Sequence, residues 1–578
     1  MSPEYIAFVD GTPAAKATMR QDVASLMHEL GFVRRFRIGN VALHLTRGTE
    51  ELALPLGAHL VGELYTSSGC RVRESKGFQY FTTQRQLREH LLERFWGEYV
   101  LFQPNEEKQN TATFITRDPS GALSCAYSDD KGFITSDISL VSRLGLAQAG
   151  VDWDFIEHFL SYSHTKIARS GVAGVSELLP GCMLEIAPRR SSTSSVWTPW
   201  RFVQETELQR DIDTASHFVR KAVSTVVTAM ATTDQSLLLQ LSGGLDSSIV
   251  AACLGDSDAC VRTCTVVAPL PGGDERPYAE RVSSRVGIPL LHANLDLSEP
   301  AIQFKIPARS LRPAVSPLSR AAARAMEPFV NAERVNAVYS GGGGDTVFCY
   351  LRTASPATDA LRRAGWAEAW NSVFNLTKLH RCTAAKATWL AFRKLVDTPH
   401  LDPSADRSLL RASRQPPLGR HPWVPKDDGT LPGNCERIVD LAGTQMFREV
   451  TLREDDKRVR MPLLSQPVME ACLRVPSWLW IRGGLDRAVA RAAFADALPP
   501  EIIQRRSKGN LMGFNVALFQ RHKATMRRFL LDGCLSARGI VDADHLNAYL
   551  SRTAQPRDRS FLRIFDLCMT ENWVRQRS

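Results

Sequence analysis

Two short glycine-rich stretches, each with an aspartate close behind the glycines, carry the chemistry of this 578-residue chain. The first is Leu241-Ser-Gly-Gly-Leu-Asp-Ser-Ser248, and the second is Ala337-Val-Tyr-Ser-Gly-Gly-Gly-Gly-Asp-Thr-Val-Phe348. A strand that turns sharply into a helix aims backbone N–H groups and the positive helix end at one point, which makes an anion site. Gly243 and Gly244 let the backbone come close to a phosphate, and Ser242, Ser247 and Ser248 offer hydroxyls. Asp246 can hold a divalent cation that bridges phosphates. No GK[ST] follows, so this is not a Walker A loop. Asp345, behind the second set of glycines, can share the cation with Asp246 if both loops leave neighbouring strands of one sheet.

The surrounding pattern supplies such strands. Leu237–Leu241 is a short apolar run, as expected of a buried parallel strand, and Ser247–Leu254 after it reads as a helix. Strand, helix and strand follow at Arg262–Ala268, Tyr278–Val286 and Leu290–Asn294, and Val335–Tyr339 leads into the second loop. Strands alternating with helices predict a parallel α/β sheet. Before it, Ile212–Met230 carries Phe218, Ala222, Val223, Val226, Val227 and Met230 at helical spacing.

Residues 1–200 differ. Val41–Leu45, Phe114–Thr116 and Phe133–Ser136 are short alternating segments broken by polar turns, which predict a strand-rich layered domain. The Ser-rich stretch Pro188–Pro199 is expected to be the linker to the second domain, 201–578. A polar, proline-rich insertion runs from Thr398 to Asn434 and includes His421-Pro-Trp423. It reads either as a cover over a large substrate or as an ordinary surface loop.

Composition sets outer bounds. Hydrophobic residues at 44% and charged residues at 23% describe a globular chain, and no apolar run approaches the ~20 residues that span a bilayer. The N-terminal residues lack the basic-then-apolar order of a secretory signal, so a cytoplasmic location and no membrane partner are expected. Twelve scattered cysteines without a CxxC array read as reduced, mostly buried thiols. The net charge of +10 has no dense basic run with interleaved aromatics, so no nucleic-acid partner is expected.

The first loop resembles the SGGxDS loop of the PP-loop ATP pyrophosphatases, and with the second loop the chain resembles the asparagine synthetase family. Further matches are Asp274-Glu275 with Tyr278-Ala279, Val459-Arg-Met-Pro-Leu-Leu464, Arg487-Ala-Val-Ala-Arg491 and Arg505-Arg-Ser-Lys-Gly509. Trp96-Gly-Glu-Tyr-Val100, Arg117-Asp-Pro-Ser-Gly121 and Leu179-Pro-Gly181 look like landmarks of the family's glutaminase-type domain. The resemblance implies an α/β protein of two parts: an Ntn-type β-rich sandwich over 1–200 and a PP-loop ligase domain over 201–578. It implies ATP at Leu241, Ser242, Gly243, Gly244, Asp246, Ser247, Ser248, Val267, Gly341 and Arg487, Mg²⁺ at Asp246 and Asp345, and Lys508 as the catalytic cation.

Three departures narrow the reading. Ser2 stands where the glutaminase needs a cysteine nucleophile, which predicts no glutaminase activity. Gly342 replaces the family's loop glutamate, widening the acyl pocket and removing a base. Arg458 replaces the glutamate before Val-Arg-x-Pro, so a small-amino-acid site is not kept. Together these look most like the lasso peptide cyclases, which implies a macrolactam closed on a precursor peptide, with a leader peptidase and a leader-binding protein as partners. A β-lactam-type synthetase, a nucleotide-binding scaffold without chemistry and a tRNA-modifying PP-loop enzyme stand as alternatives.

Overall fold

The computed structural model describes residues 4–577 apart from 106–111, 147–149, 164, 188–189, 210, 271–273, 299–305, 315, 351, 397–402, 412–415, 425–429, 451–456, 507–508, 510–511 and 553–558. Its strands are β1 (Tyr5–Val9), β2 (Phe32–Ile38), β3 (Val41–Thr46), β4 (Glu51–Ala53), β5 (His59–Thr66), β6 (Phe95–Pro104), β7 (Thr113–Arg117), β8 (Ala126–Ser128), β9 (Phe133–Thr135), β10 (Ser176–Glu177), β11 (Cys182–Ala187), β12 (Arg190–Ser195), β13 (Ser236–Gln240), β14 (Cys260–Val267), β15 (Leu290–Asn294), β16 (Ala337–Ser340) and β17 (Arg458–Arg460). They form two six-stranded sheets, β10-β8-β9-β1-β3-β2 and β12-β11-β7-β6-β5-β4, and a five-stranded sheet, β15-β14-β13-β16-β17.

The first two sheets are antiparallel and share a core. Along β1, Tyr5, Ala7 and Val9 face Val100, Phe102 and Ile115 of the other sheet, while Ile6 and Phe8 face outward onto helical residues such as Val23, Met27 and Phe155. Both faces of β1 are therefore covered, which is why the strand is apolar throughout rather than alternating. The helix Gln84–Arg94 covers the second sheet through Leu87 and Leu91. The result is a sandwich with helices on both outer sides.

The stretch Pro188–Pro199 is not a linker throughout. Arg190–Ser195 is β12, an edge strand paired antiparallel with β11, and 188–189 lie outside the described residues. An edge strand needs only backbone partners on one side, so a polar serine run meets its demands while reading as loop by composition. The proline-rich insertion is likewise not a loose cover where it is described. Trp423 is fully buried, its ring stands 5.3 Å from that of Trp197, and its carbonyl accepts from Trp200 Nε1 at 2.7 Å.

All neighbours in the third sheet run parallel. Leu237, Leu239 and Tyr339 face one core and Leu238, Cys264 and Val338 the other, so helices cover both sides. The helix Ile212–Asp234, capped by Asp211 accepting from the Thr214 amide at 2.8 Å, buries Val219, Val223, Val226 and Val227. Phe218, expected on that face, is exposed instead. The order places β13 between β14 and β16, so the connections leaving β13 and β16 diverge at their C-terminal ends. Such a switch point is where open parallel sheets bind ligands.

Candidate functional site

Both glycine loops open at this switch point and line one cavity of about 270 Å³. Gly244 ends the first loop and caps the helix Leu245–Gly255, which opens without a side-chain cap. Its first-turn N–H groups and dipole thus face the cavity end rather than a capping oxygen. The Ser242 and Ser247 hydroxyls stand 3.1 Å apart in the loop, and Ser247 Oγ also accepts from the Ser242 amide at 3.2 Å.

The second loop closes on the first at backbone distance. A Cβ built on Gly341 would lie 2.6 Å from the Ser247 nitrogen, and one on Gly344 2.5 Å from Asp246 Cβ and Cγ. Only glycines permit that approach. Gly342 differs, because a Cβ there would meet Met461 Sδ and Ser340 Oγ at 3.4 Å, which is ordinary contact. Gly341→Ala should therefore cut ATP-dependent turnover about tenfold or more and cost ~1–3 kcal/mol of stability through the forced shift. Gly342→Ala should leave both within error, and equal losses in the two variants would show that the loops do not meet this way.

The closure brings Asp246 and Asp345 to one positive group. Arg487 Nη1 lies 3.0 Å from Asp345 Oδ1 and 3.4 Å from Asp246 Oδ1, while Arg487 Nε lies 3.4 Å from Asp486 Oδ1. Burial acts to lower the Arg487 pKa, but Asp246, Asp486 and Asp345 outweigh it and raise it. Arg487 reaches this place from a left-handed backbone, φ 52°, at the start of the helix Ala488–Ala493. One cation already spans the two carboxylates. Two hard oxygen donors beside a phosphate-sized anion site fit a Mg²⁺ ion, which takes one or two carboxylates and completes its shell with phosphate oxygens and water.

A second arginine, which sequence reasoning did not single out, closes the cavity. Arg505 Nη1 donates to the Gly243 carbonyl at 2.9 Å, Nη2 pairs with Glu275 at 2.6 Å, and the guanidinium stacks 3.7 Å over the Tyr278 ring. Arg491 holds the same segment by donating to the Arg505 carbonyl at 3.0 Å. Lys508 lies outside the described residues. Its neighbours on both sides, Arg505 and Gly509, meet Glu275 next to the first loop. Phe447, also missed, lines the cavity and is partly exposed. The family-like segment Arg505–Gly509 was the available signal for Arg505, whereas nothing local marks Phe447.

Of the residues expected to bind ATP or metal, Ser242, Gly244, Asp246, Ser247, Gly341, Asp345 and Arg487 line this cavity. Leu241, Gly243, Ser248 and Val267 are not among its lining residues. The Leu241 amide donates to the Cys264 carbonyl, Ser248 Oγ donates to the Gly244 carbonyl, and the Val267 carbonyl accepts from Leu295. Gly243 turns at φ 67° with its carbonyl on Arg505. Arg458 does not face the loops. It pairs with Glu63 at 2.6 Å and Glu98 at 3.0 Å, two carboxylates of the sandwich. Ser2 lies outside the described residues. All twelve cysteines are free and eight are buried. Among the described residues no helix is long and apolar enough to cross a membrane.

No curated protein matches the chain. Among solved structures, the NMN synthetase from Francisella tularensis is similar at 13% identity and a TM-score of 0.17, over 25% of this chain and 60% of that one, a likeness too slight to inform the reading. The sequence model described as asparagine synthase matches residues 219–575, which spans both glycine loops, Arg487 and the Arg505–Gly509 segment. With that match over more than half of its length, the chain belongs to the asparagine synthase family, whose members form amide bonds at the expense of ATP.

Proposed function

We propose that this chain is a peptide macrolactam synthetase of the lasso cyclase kind. An aspartate or glutamate side chain of a trimmed precursor peptide is activated by transfer of AMP from ATP. The peptide's N-terminal amine then displaces AMP and closes the ring. Overall, carboxylate and amine become an amide, and ATP becomes AMP and pyrophosphate. The observation that carries the reading is the single cavity formed by both glycine loops, with Asp246, Asp345 and Arg487 at its floor.

The residues divide the work. The first loop and the helix behind it bind the phosphates, with Ser242 and Ser247 as hydroxyl donors. Asp246 and Asp345 would hold Mg²⁺, which neutralises phosphate charge when bound. Arg487 and Arg505 add positive charge at the same wall, and Lys508 is the cation assigned to the reacting phosphate and acyl centres. Holding amine and acyl carbon together supplies the entropic part of the rate. Gly342 offers no base, and an α-amino group with an unperturbed pKa near ~7.7–8.0 needs little help to lose its proton. The absence of a glutamate at Gly342, although a Cβ has room there, supports an acceptor larger than ammonia.

The sandwich with helices on both outer sides supports an Ntn-type, glutaminase-like domain that has lost glutaminase chemistry. Burial pushes its Cys125 and Cys182 thiols up to about 11 and about 12, which makes them poor nucleophiles. A leader peptidase and a leader-binding protein would deliver the trimmed peptide. The test is mass spectrometry of a candidate core peptide incubated with ATP, Mg²⁺, this chain and the partner proteins. Loss of one water together with pyrophosphate release is the expected result. Pyrophosphate release driven instead by a free N-acyl amino acid would assign a small-molecule synthetase.

A further inference from the structure

Away from the cavity, a pair of helices leaves a face of aromatic side chains uncovered. The helices Trp366–His380 and Ala384–Val396 are joined by three residues and pack on the helix Ser355–Arg363. Their inner sides, including Ala369, Val373, Leu376 and Ala387, are buried. Their outer sides carry Trp366, Trp370 and Phe374 at i, i+4, i+8 and Trp389, Phe392 and Val396 at i, i+3, i+7, each between 55% and 80% exposed. These six are half of the large hydrophobic residues exposed among the described residues, gathered on one hairpin. Scattered exposed apolar residues need no explanation, but a contiguous patch marks an interaction site.

Charge identifies the occupant. From 361 to 396 the chain has seven basic residues against one acidic residue, Glu368. Two cations lie on the aromatic face itself, Lys378 Nζ 4.3 Å from the Phe374 ring centre and the Arg393 guanidinium 5.0 Å from that of Trp389. A second copy of this chain would bring like charges together, so self-association is disfavoured. Each stripe also has the residue spacing of a helix-packing seam, which suits a third helix laid along the pair.

We propose that this face docks an acidic amphipathic helix of a partner polypeptide, its apolar side between the two stripes and its carboxylates on Lys378, Arg381, Lys386 and Arg393. The position has a consequence for the cavity. On the Trp366–His380 helix, Asn375 Oδ1 accepts from the Gly484 amide at 3.3 Å, and Gly484 packs against Lys378. Gly484 lies three residues before Arg487, so the helix that would carry the partner abuts the segment that sets Arg487.

The test uses the full chain and two fluorescent amphipathic peptides, one built of Leu and Glu and the other of Leu and Lys. Salt-sensitive binding of the Glu peptide alone is expected. It should weaken about tenfold or more in the Trp370→Ser, Trp389→Ser double variant, whose melting temperature should be unchanged because both residues are exposed. Equal binding of the Lys peptide, or no binding of the Glu peptide, overturns the proposal. Binding to phosphatidylglycerol vesicles that the double variant loses would assign the face to a membrane surface instead. A dimer of the unaltered chain that the double variant loses would assign it to self-association.

Discussion

Asp345→Asn is expected to slow ATP-dependent pyrophosphate release by about 10²–10³-fold, a loss of the size seen when one charge-stabilising group is removed from a transition state. It should leave the melting temperature nearly unchanged. Asp345 is the more accessible of the two carboxylates, with its side chain 37% exposed against 11% for Asp246. Removing its charge leaves Arg487 paired with Asp246 and Asp486, so the floor of the cavity keeps its cation and its packing. Asp246 would be a poorer probe, since Gly344 lies hard against it and a change there disturbs both loops. Release within about threefold of the unaltered chain, at saturating Mg²⁺, would remove the metal role assigned to Asp345. A chelator should abolish release from the unaltered chain, and added Mg²⁺ should restore it.

The shared cavity of the two loops was legible because the parts of each loop are consecutive. A strand, two glycines and a helix start aim backbone N–H groups and a positive helix end at one point, and the alternation of strands and helices puts two such loops on one sheet edge. Arg487 was reachable only through family resemblance, since no local pattern separates it from other arginines. Contacts made across the chain left no signal at all. Arg460 meets Asp234, 226 positions away, and Glu63, 397 positions away, and each of these reads alone as a solvated charge. Composition also misled where backbone pairing decides. The serines of β12 look like linker because an edge strand makes no demand on side chains that face water. Trp423 sits in a proline-rich polar stretch, yet that stretch is where the chain crosses beneath Trp197 and Trp200.

Arg460→Ala should be the most destabilising single change in the protein, lowering stability by ~3–5 kcal/mol, as expected when one partner is removed from a buried ion cluster. Arg460 is fully buried where β17 meets the sandwich. Its Nε donates to Asp234 Oδ2 at 2.9 Å, its Nη2 to Glu63 Oε2 at 2.8 Å, and its Nη1 to Glu98. Without it, three buried carboxylates keep only Arg458, which reaches Glu63 and Glu98, and the more distant Arg71, 3.9 Å from Glu63. Arg458→Ala should cost less for that reason. The acid response should change as well. Burial acts to raise the Glu63 pKa, but Arg460 and Arg458 outweigh it and hold it well below the ordinary carboxylate range. A carboxylate depressed in this way adds stability above its unfolded pKa, near ~4.3, and that stability is lost as pH falls through the folded value. Arg460→Ala removes the larger of the two lowering partners, so its melting temperature should fall less between about pH 5 and about pH 3 than that of the unaltered chain. The defect should also reach the cavity. β17 pairs with β16, and Leu463 and Leu464, just beyond β17, pack against Gly344 and Gly343 of the second loop. Through Arg460 and β17 the sandwich thus braces the loop that carries Asp345. Pyrophosphate release should drop in Arg460→Ala at temperatures well below its melting point, and full activity there would show that the sandwich and the cavity are mechanically independent.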